Sequence, residues 1–209
     1  MSKESEIGEL VNKEIITLIG IGVTIIIGLL NLEASKSNRF ISSINAERLK
    51  WINNVREVFS QFNKNCYIYA NAVIDARHDN GEEVTEEEAK KAEHTFQEIL
   101  YYLDLIKLYT NPTEILSAKL YLAIDDMVNE LKEQDFNTEK YGKIKENIHY
   151  YQQVILKAEW KRMKEEAKLG RELDDKEINE IFKSTSIQID KQRYSKFLKE
   201  KFESQVNEE

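Results

Sequence analysis

Residues 47–73 read ERLKWINNVREVFSQFNKNCYIYANAV. Within them Ile52, Val55, Phe59, Phe62, Cys66, Tyr69 and Val73 recur at alternating spacings of three and four. That rhythm is a coiled-coil-like seam, the mark of a helix buried along one side. Arg56, Glu57 and Lys64 fall elsewhere around the helix, as charges on a solvated face do. No Gly or Pro interrupts the stretch. It predicts one long amphipathic helix, which needs other helices to cover its seam. Upstream, Ile41, Ile44 and Leu49 extend the pattern; downstream the Asn80-Gly81 pair in HDNGEE ends it.

Three more helices follow. Thr85 with Glu88 forms a capping box, in which the hydroxyl accepts one orphan N–H and the glutamate reaches back to another. The seam behind it is Ala89, Ala92, Phe96, Ile99, Leu103 and Ile106. In YTNPTEIL, Asn111 is the expected cap, Pro112 the first helical residue and Glu114 a charge suited to a helix start. Leu116, Leu120, Ala123, Met127 and Leu131 make the third face. The fourth begins near Glu139 with Tyr141, Ile144, Ile148, Tyr151 and Ile155. Leu156, Trp160, Met163 and Ala167 continue it, and Gly170 is the expected C-terminal cap.

Short connections make neighbouring helices antiparallel, so residues 37–169 are expected to form an all-α antiparallel bundle of about four long helices. Residues 170–209 are a short helical extension. There, Asp174 or Asp175 caps a helix, STSIQID reads as a polar link, and Tyr194, Phe197, Leu198 and Phe202 form a small apolar face. That face is expected to dock on the bundle, the alternative being a partner, since an exposed aromatic face is a liability.

Bulk composition agrees. A single Pro in 209 residues, with 33% charged and 41% hydrophobic residues, suits long helices and not the punctuation of a β-rich fold. The net charge of -8 repels nucleic-acid backbones, so no nucleic-acid partner is expected. Cys66 is the one cysteine; it has no disulfide partner in the chain and reads as a buried structural thiol in a reducing compartment.

Residues 15–32, IITLIGIGVTIIIGLLNL, carry no charge and are bounded by Glu14 and Glu33. As a helix they rise about 27 Å, near the thickness of a bilayer's hydrocarbon core. No polar stripe recurs every 3.6 residues, as a water-facing helix would require. A cleaved signal peptide fits poorly, because residues 1–14 set Lys3 and Lys13 against Glu4, Glu6, Glu9 and Glu14. The expectation is a single transmembrane helix in the cell (inner) membrane, touching lipid through residues 15–32 behind a short tail at 1–14. Lys36, Arg39, Arg48 and Lys50 after the span place the bulk of the chain in the cytoplasm. Gly20, Thr24 and Gly28 fall on one face, where small residues let two spans approach and self-associate.

Residues for chemistry are sparse. His78, His94 and His149 lie on different segments, and Glu146 with His149 makes one E-x-x-H. A di-iron bundle needs two such motifs and two more glutamates. There is no H-E-x-x-H, phosphate-cradling Gly loop, G-x-S-x-G or Cys/His zinc spacing. No catalytic residue, cofactor or metal site is expected. Two charged aromatic stretches are candidates for a partner surface: Arg48, Trp51 and Arg56 in the first, and Trp160 among Lys157, Lys161, Arg162 and Lys164 in the second. The competing account is packing, with the long cationic stems lying along apolar surface.

Taken in order, ERLKWINNVREVF, LDLIKLYTNPTEIL and QQVILKAEWKRMKEE form a recognisable set. The chain resembles a loosely defined group of small bacterial or phage proteins with one N-terminal membrane helix and a cytoplasmic helical domain. They carry R-x-x-W-I-x-x-x-R, N-P and L-K-x-E-W stretches in that order. The matching positions are Arg48, Trp51, Ile52, Arg56, Asn111, Pro112, Leu156, Lys157, Glu159 and Trp160, within residues 10–168. The resemblance implies no established enzyme activity and a circumstantial link to phage defence or exclusion. The functional expectation is a non-enzymatic, membrane-anchored interaction or scaffold protein whose bundle binds a protein partner or itself as a homo-oligomer. The alternatives are a membrane effector of phage defence or superinfection exclusion acting through oligomerised spans, and a metal-binding or hydrolytic bundle using Glu146 and His149.

Overall fold

A computed structural model of the chain describes residues 3–78, 85–133, 135–199 and 201–202. At 3–14, 16, 33–34, 36–38, 40 and 77–78 it describes the backbone only. The helices are α1 (Lys3–His78), α2 (Glu86–Tyr109), α3 (Ile115–Lys132), α4 (Thr138–Leu169), α5 (Asp175–Ile189) and α6 (Lys191–Phe197). A last helical turn hydrogen-bonds Lys201 N and Phe202 N to the Leu198 carbonyl. No strand occurs among the described residues.

The four long helices run up and down. Tyr69 meets Phe96 while Trp51 meets Tyr109, so α1 and α2 are antiparallel. Asn63 pairs with Gln152 while Arg48 reaches Glu159 and Glu166, so α1 and α4 are antiparallel too. Between α2 and α3, Lys132 sits over the Phe96 ring and Lys107 pairs with Asp125. The core collects the predicted seams: Ile52, Val55, Phe59, Phe62 and Cys66 from α1, Ile99, Leu103 and Ile106 from α2, and Leu116, Leu120, Ala123, Met127 and Leu131 from α3. From α4 come Tyr141, Ile148, Tyr151 and Ile155. The C-terminal face also packs inward, with Tyr194, Leu198 and Phe202 buried in the same core.

Several local expectations hold. The Thr85–Glu88 capping box is present, and Gly170 caps α4 in the left-handed conformation at φ 67°, its N–H donating to the Glu166 carbonyl. Of the two aspartates, Asp174 is the cap of α5 and forms a capping box with Glu177. The Asn80-Gly81 pair lies outside the described residues.

The membrane span is not supported. Among the described residues no helix is long and apolar enough to cross a membrane. The uncharged run at 15–32 rises about 27 Å as a helix, short of a hydrocarbon core of about 30 Å. The stretch is also no separate element: α1 runs through the expected boundaries at residues 14 and 33 without a break. The backbone has a simple reason to continue, since EASKS contains neither Gly nor Pro. The expectations of a single-pass protein, an inner-membrane location with a cytoplasmic bulk, and lipid contact at 15–32 lose the span on which they rested. So does the effector reading built on oligomerised spans.

Three boundaries also move. The start of α3 falls at Ile115 with Glu114 as its N-cap, not at Pro112. Asn111 instead turns the chain, its Oδ1 accepting Thr113 N at 3.1 Å and Thr113 Oγ1 at 2.9 Å. STSIQID is no link but the last turns of α5, with Thr185 and Ser186 fully buried. On α4 the stripe of Leu156, Trp160, Met163 and Ala167 is not the buried one; Val154, Ile155, Ala158 and Glu166 are.

Candidate functional site: a charged cleft at the base of the long helix

The buried Glu166 organises this end of the bundle. Its side chain has no solvent exposure, and its carboxylate accepts hydrogen bonds from Arg48 Nη1 of α1, Arg162 Nε at 3.1 Å and Leu173 N at 3.3 Å. Burial pushes this carboxyl up, but the Arg48, Arg162 and Leu173 hydrogen bonds outweigh it and hold the group below the usual carboxylate range. One carboxylate thus joins α1, α4 and the turn into α5.

Glu159, two turns earlier on α4, shares both cations. Its Oε2 lies 3.5 Å from Arg48 Nε and its Oε1 lies 3.5 Å from Arg162 Nη1. Arg48 and Glu159 are largely buried, with side chains 13% and 12% exposed. Desolvation pushes the Glu159 carboxyl up, and its two arginine neighbours do not fully offset that. Glu114, at the start of α3, is the third carboxylate. Burial pushes it up and the nearby Glu159 charge adds to the effect, while a long hydrogen bond from Ser117 Oγ at 3.4 Å opposes it. Two guanidinium groups therefore meet three carboxylates, and Glu114 is the one of the three that pairs with neither guanidinium in an ion pair.

Two cavities, of about 610 and 530 Å³, adjoin at this cluster, and Asn111, Glu114 and Glu159 line both. The first opens toward α5, where Asp175, Asn179 and Phe182 complete its wall. The second lies against α1, walled by Glu47, Arg48 and Trp51. Trp51 is fixed there by its indole Nε1, which donates to the Tyr109 carbonyl at 2.8 Å. Thr110 closes the end of α2: its hydroxyl donates to the Ile106 carbonyl at 2.6 Å, and its own carbonyl accepts from Tyr121 Oη at 3.0 Å.

Of the four partner-surface candidates, Arg48 and Trp51 line the cleft, where Asn111 and Glu159, named only as positions of the resembled stretches, join them. Arg56 is not among them; it is exposed on α1 and donates to Asn53 Oδ1 at 2.8 Å. Trp160 is 40% exposed beneath Lys164 and lines neither cavity. Gly20, Thr24 and Gly28 sit in the exposed section of α1, far along the helix from the cleft. Glu166 holds the cluster together without having been singled out, and Arg162 was named only among the cations around Trp160. Their signal was available: Glu159, Arg162 and Glu166 stand at i, i+3 and i+7, one face of a helix.

The E-x-x-H pair is occupied structurally. Glu146 Oε2 accepts Arg193 Nη2 at 2.5 Å, which ties α6 to α4. His149 is shifted down by burial and the neighbouring Lys145 charge. Among the described residues no group of three or more His, Cys, Asp or Glu side chains could hold a metal ion. No family model, curated protein or solved structure matches the chain.

Proposed function

We propose that the chain is a non-enzymatic interaction protein that assembles with copies of itself through the exposed apolar section of α1, the bundle serving as a rigid base. The observation that carries this reading is the exposure of that section. Every large apolar side chain described between residues 15 and 32 is about half exposed or more, Leu18 reaching 67%. Among the α1 side chains described, the first buried one is that of Ile41. A contiguous apolar surface of this kind marks an interaction site, because leaving it in water costs roughly 25 cal/mol per Å².

A second copy suits this surface, since paired helices present the same apolar patch to each other. Gly20 and Gly28 have open space around them, with no atom within 4 Å of a built Cβ, so a neighbouring helix has room to approach. Thr24 Oγ1 donates to the Gly20 carbonyl at 2.8 Å, which leaves that face without an unsatisfied hydroxyl.

The test is mass photometry of the full chain beside its Ile19→Glu, Ile26→Glu double variant. A discrete oligomer in the first and a monomer of equal helicity in the second is the expected result. A monomeric parent at micromolar concentration ends this reading, as does an oligomer that survives both charges.

A further inference from the structure

We propose that Glu114 is a proton-sensitive catch at the cleft: ionised, it holds the 111–114 turn off α4, and protonated, it lets that turn close on Glu159 and narrow both cavities. The geometry supplies the parts. Asn111, Glu114 and Glu159 are the residues common to the two cavities, so any approach of the turn to α4 closes both together. The turn is closed on itself by Asn111 Oδ1, which accepts from Thr113 N and Thr113 Oγ1, so it can move as a unit, and the Glu114 carboxylate is tied only by the long bond from Ser117 Oγ at 3.4 Å. Glu114 is the N-cap of α3 but makes no side-chain capping bond, and its N–H reaches the Asn111 carbonyl at 3.2 Å.

The charges facing Glu114 decide the direction. From α1 come Glu47 and Arg48, from α4 Glu159 and Arg162 with Glu166 behind them, and from α5 Asp175; α2 contributes the uncharged end at Tyr109 and Thr110. Both arginines are paired with Glu166 and Glu159, and the attraction of Arg162 for Glu114 is weaker than the repulsion from Glu159. The excess negative charge therefore falls on Glu114, and one proton removes it. Burial and the Glu159 charge place that uptake above the ordinary glutamate range, and protonating Glu114 turns a repelling contact into one that can donate a hydrogen bond.

Trp51 is a built-in reporter, since its ring walls the cavity beside Glu114. The experiment is the fluorescence of full-length Trp160→Phe protein titrated from pH 8 to pH 4. A change in Trp51 emission is expected with a midpoint above about 4.3, the ordinary glutamate value. It is absent when Glu114→Gln is added, absent with Glu159→Gln, and retained with Asp175→Asn, while far-UV circular dichroism stays constant throughout. The proposal is overturned if no such change occurs above that pH, if Glu114→Gln leaves the midpoint in place, or if helicity is lost in step with the emission. Should either Gln variant fail to fold, Glu114→Ala and Asn111→Ala carry the same comparison, and an unmoved midpoint in Glu114→Ala overturns it equally.

Discussion

A carboxylate with no solvent exposure is costly unless its partners are fixed, and Glu166 has three of them. Removing one cation leaves a buried charge short of compensation. Arg48→Met is expected to lose about 3 kcal/mol in chemical denaturation, and Arg48→Met with Glu166→Gln to recover part of that loss. Simple additivity in this cycle would show that the two side chains do not act as a pair. The pH dependence has a definite sign. The folded pKa of Glu166 lies below its unfolded value, so its stabilisation is present above about pH 4.3 and fades as pH falls through the folded value. The melting difference between parent and Glu166→Gln should therefore be largest near neutrality and shrink in acid. Glu114 and Glu159 have the opposite sign, since their raised carboxyls favour the fold at lower pH and lose that contribution as pH rises. This residue scale was the least legible in the sequence. Periodicity looks for apolar stripes, and it followed Leu156, Trp160 and Met163 although the buried face turned through Ala158 to Glu166. A charge is buried there because Arg48 arrives from a helix more than a hundred residues away, and no local pattern reports that.

At the scale of elements, local chemistry was legible where it depended on a few adjacent residues. The Thr85–Glu88 and Asp174–Glu177 boxes and the Gly170 cap all rest on groups within one turn. Gly170 is the one residue at positive φ among those described, and a Cβ there meets the carbonyl clash that L-residues avoid. Gly170→Ala should cost about 1 kcal/mol and Gly170→Asn less, read from urea midpoints; equal costs would mean that side-chain bulk and not backbone conformation decides. Inside α5 the expectation of a polar link failed for a physical reason. Ser184, Thr185 and Ser186 are weak helix formers, but Ser184 and Ser186 satisfy their hydroxyls on the carbonyls of Ile181 and Phe182, and packing supplies the rest. Thr185 Oγ1 is buried with no partner, so Thr185→Val should raise stability by about 1 kcal/mol. A loss of that size instead would place an unseen partner on the hydroxyl.

At the scale of the whole molecule, α1 is two things at once. Its 76 residues make a rod of about 114 Å, of which the part from Ile41 onward, about 57 Å, matches the length of α4 at about 48 Å. The bundle could be read from the sequence because its seams repeat over many turns. The nature of the apolar section at 15–32 could not, because hydrophobicity alone does not say whether its surroundings are lipid, core or another copy. Stability along the rod must then be unequal. Residues 52–66 are locked by core packing, whereas an isolated helical section has only its own hydrogen bonds, and short helices are marginal in water on that basis. Hydrogen exchange read by mass spectrometry should show a step near Ile41, with slow exchange at 52–66 and faster exchange at 17–32 in dilute protein. If the apolar section is covered by a second copy, its protection should rise with protein concentration while that of 52–66 stays constant, because mass action stabilises only the surface that the partner buries. Protection at 17–32 that is already high in dilute solution and indifferent to concentration would mean that the section is stabilised within one chain.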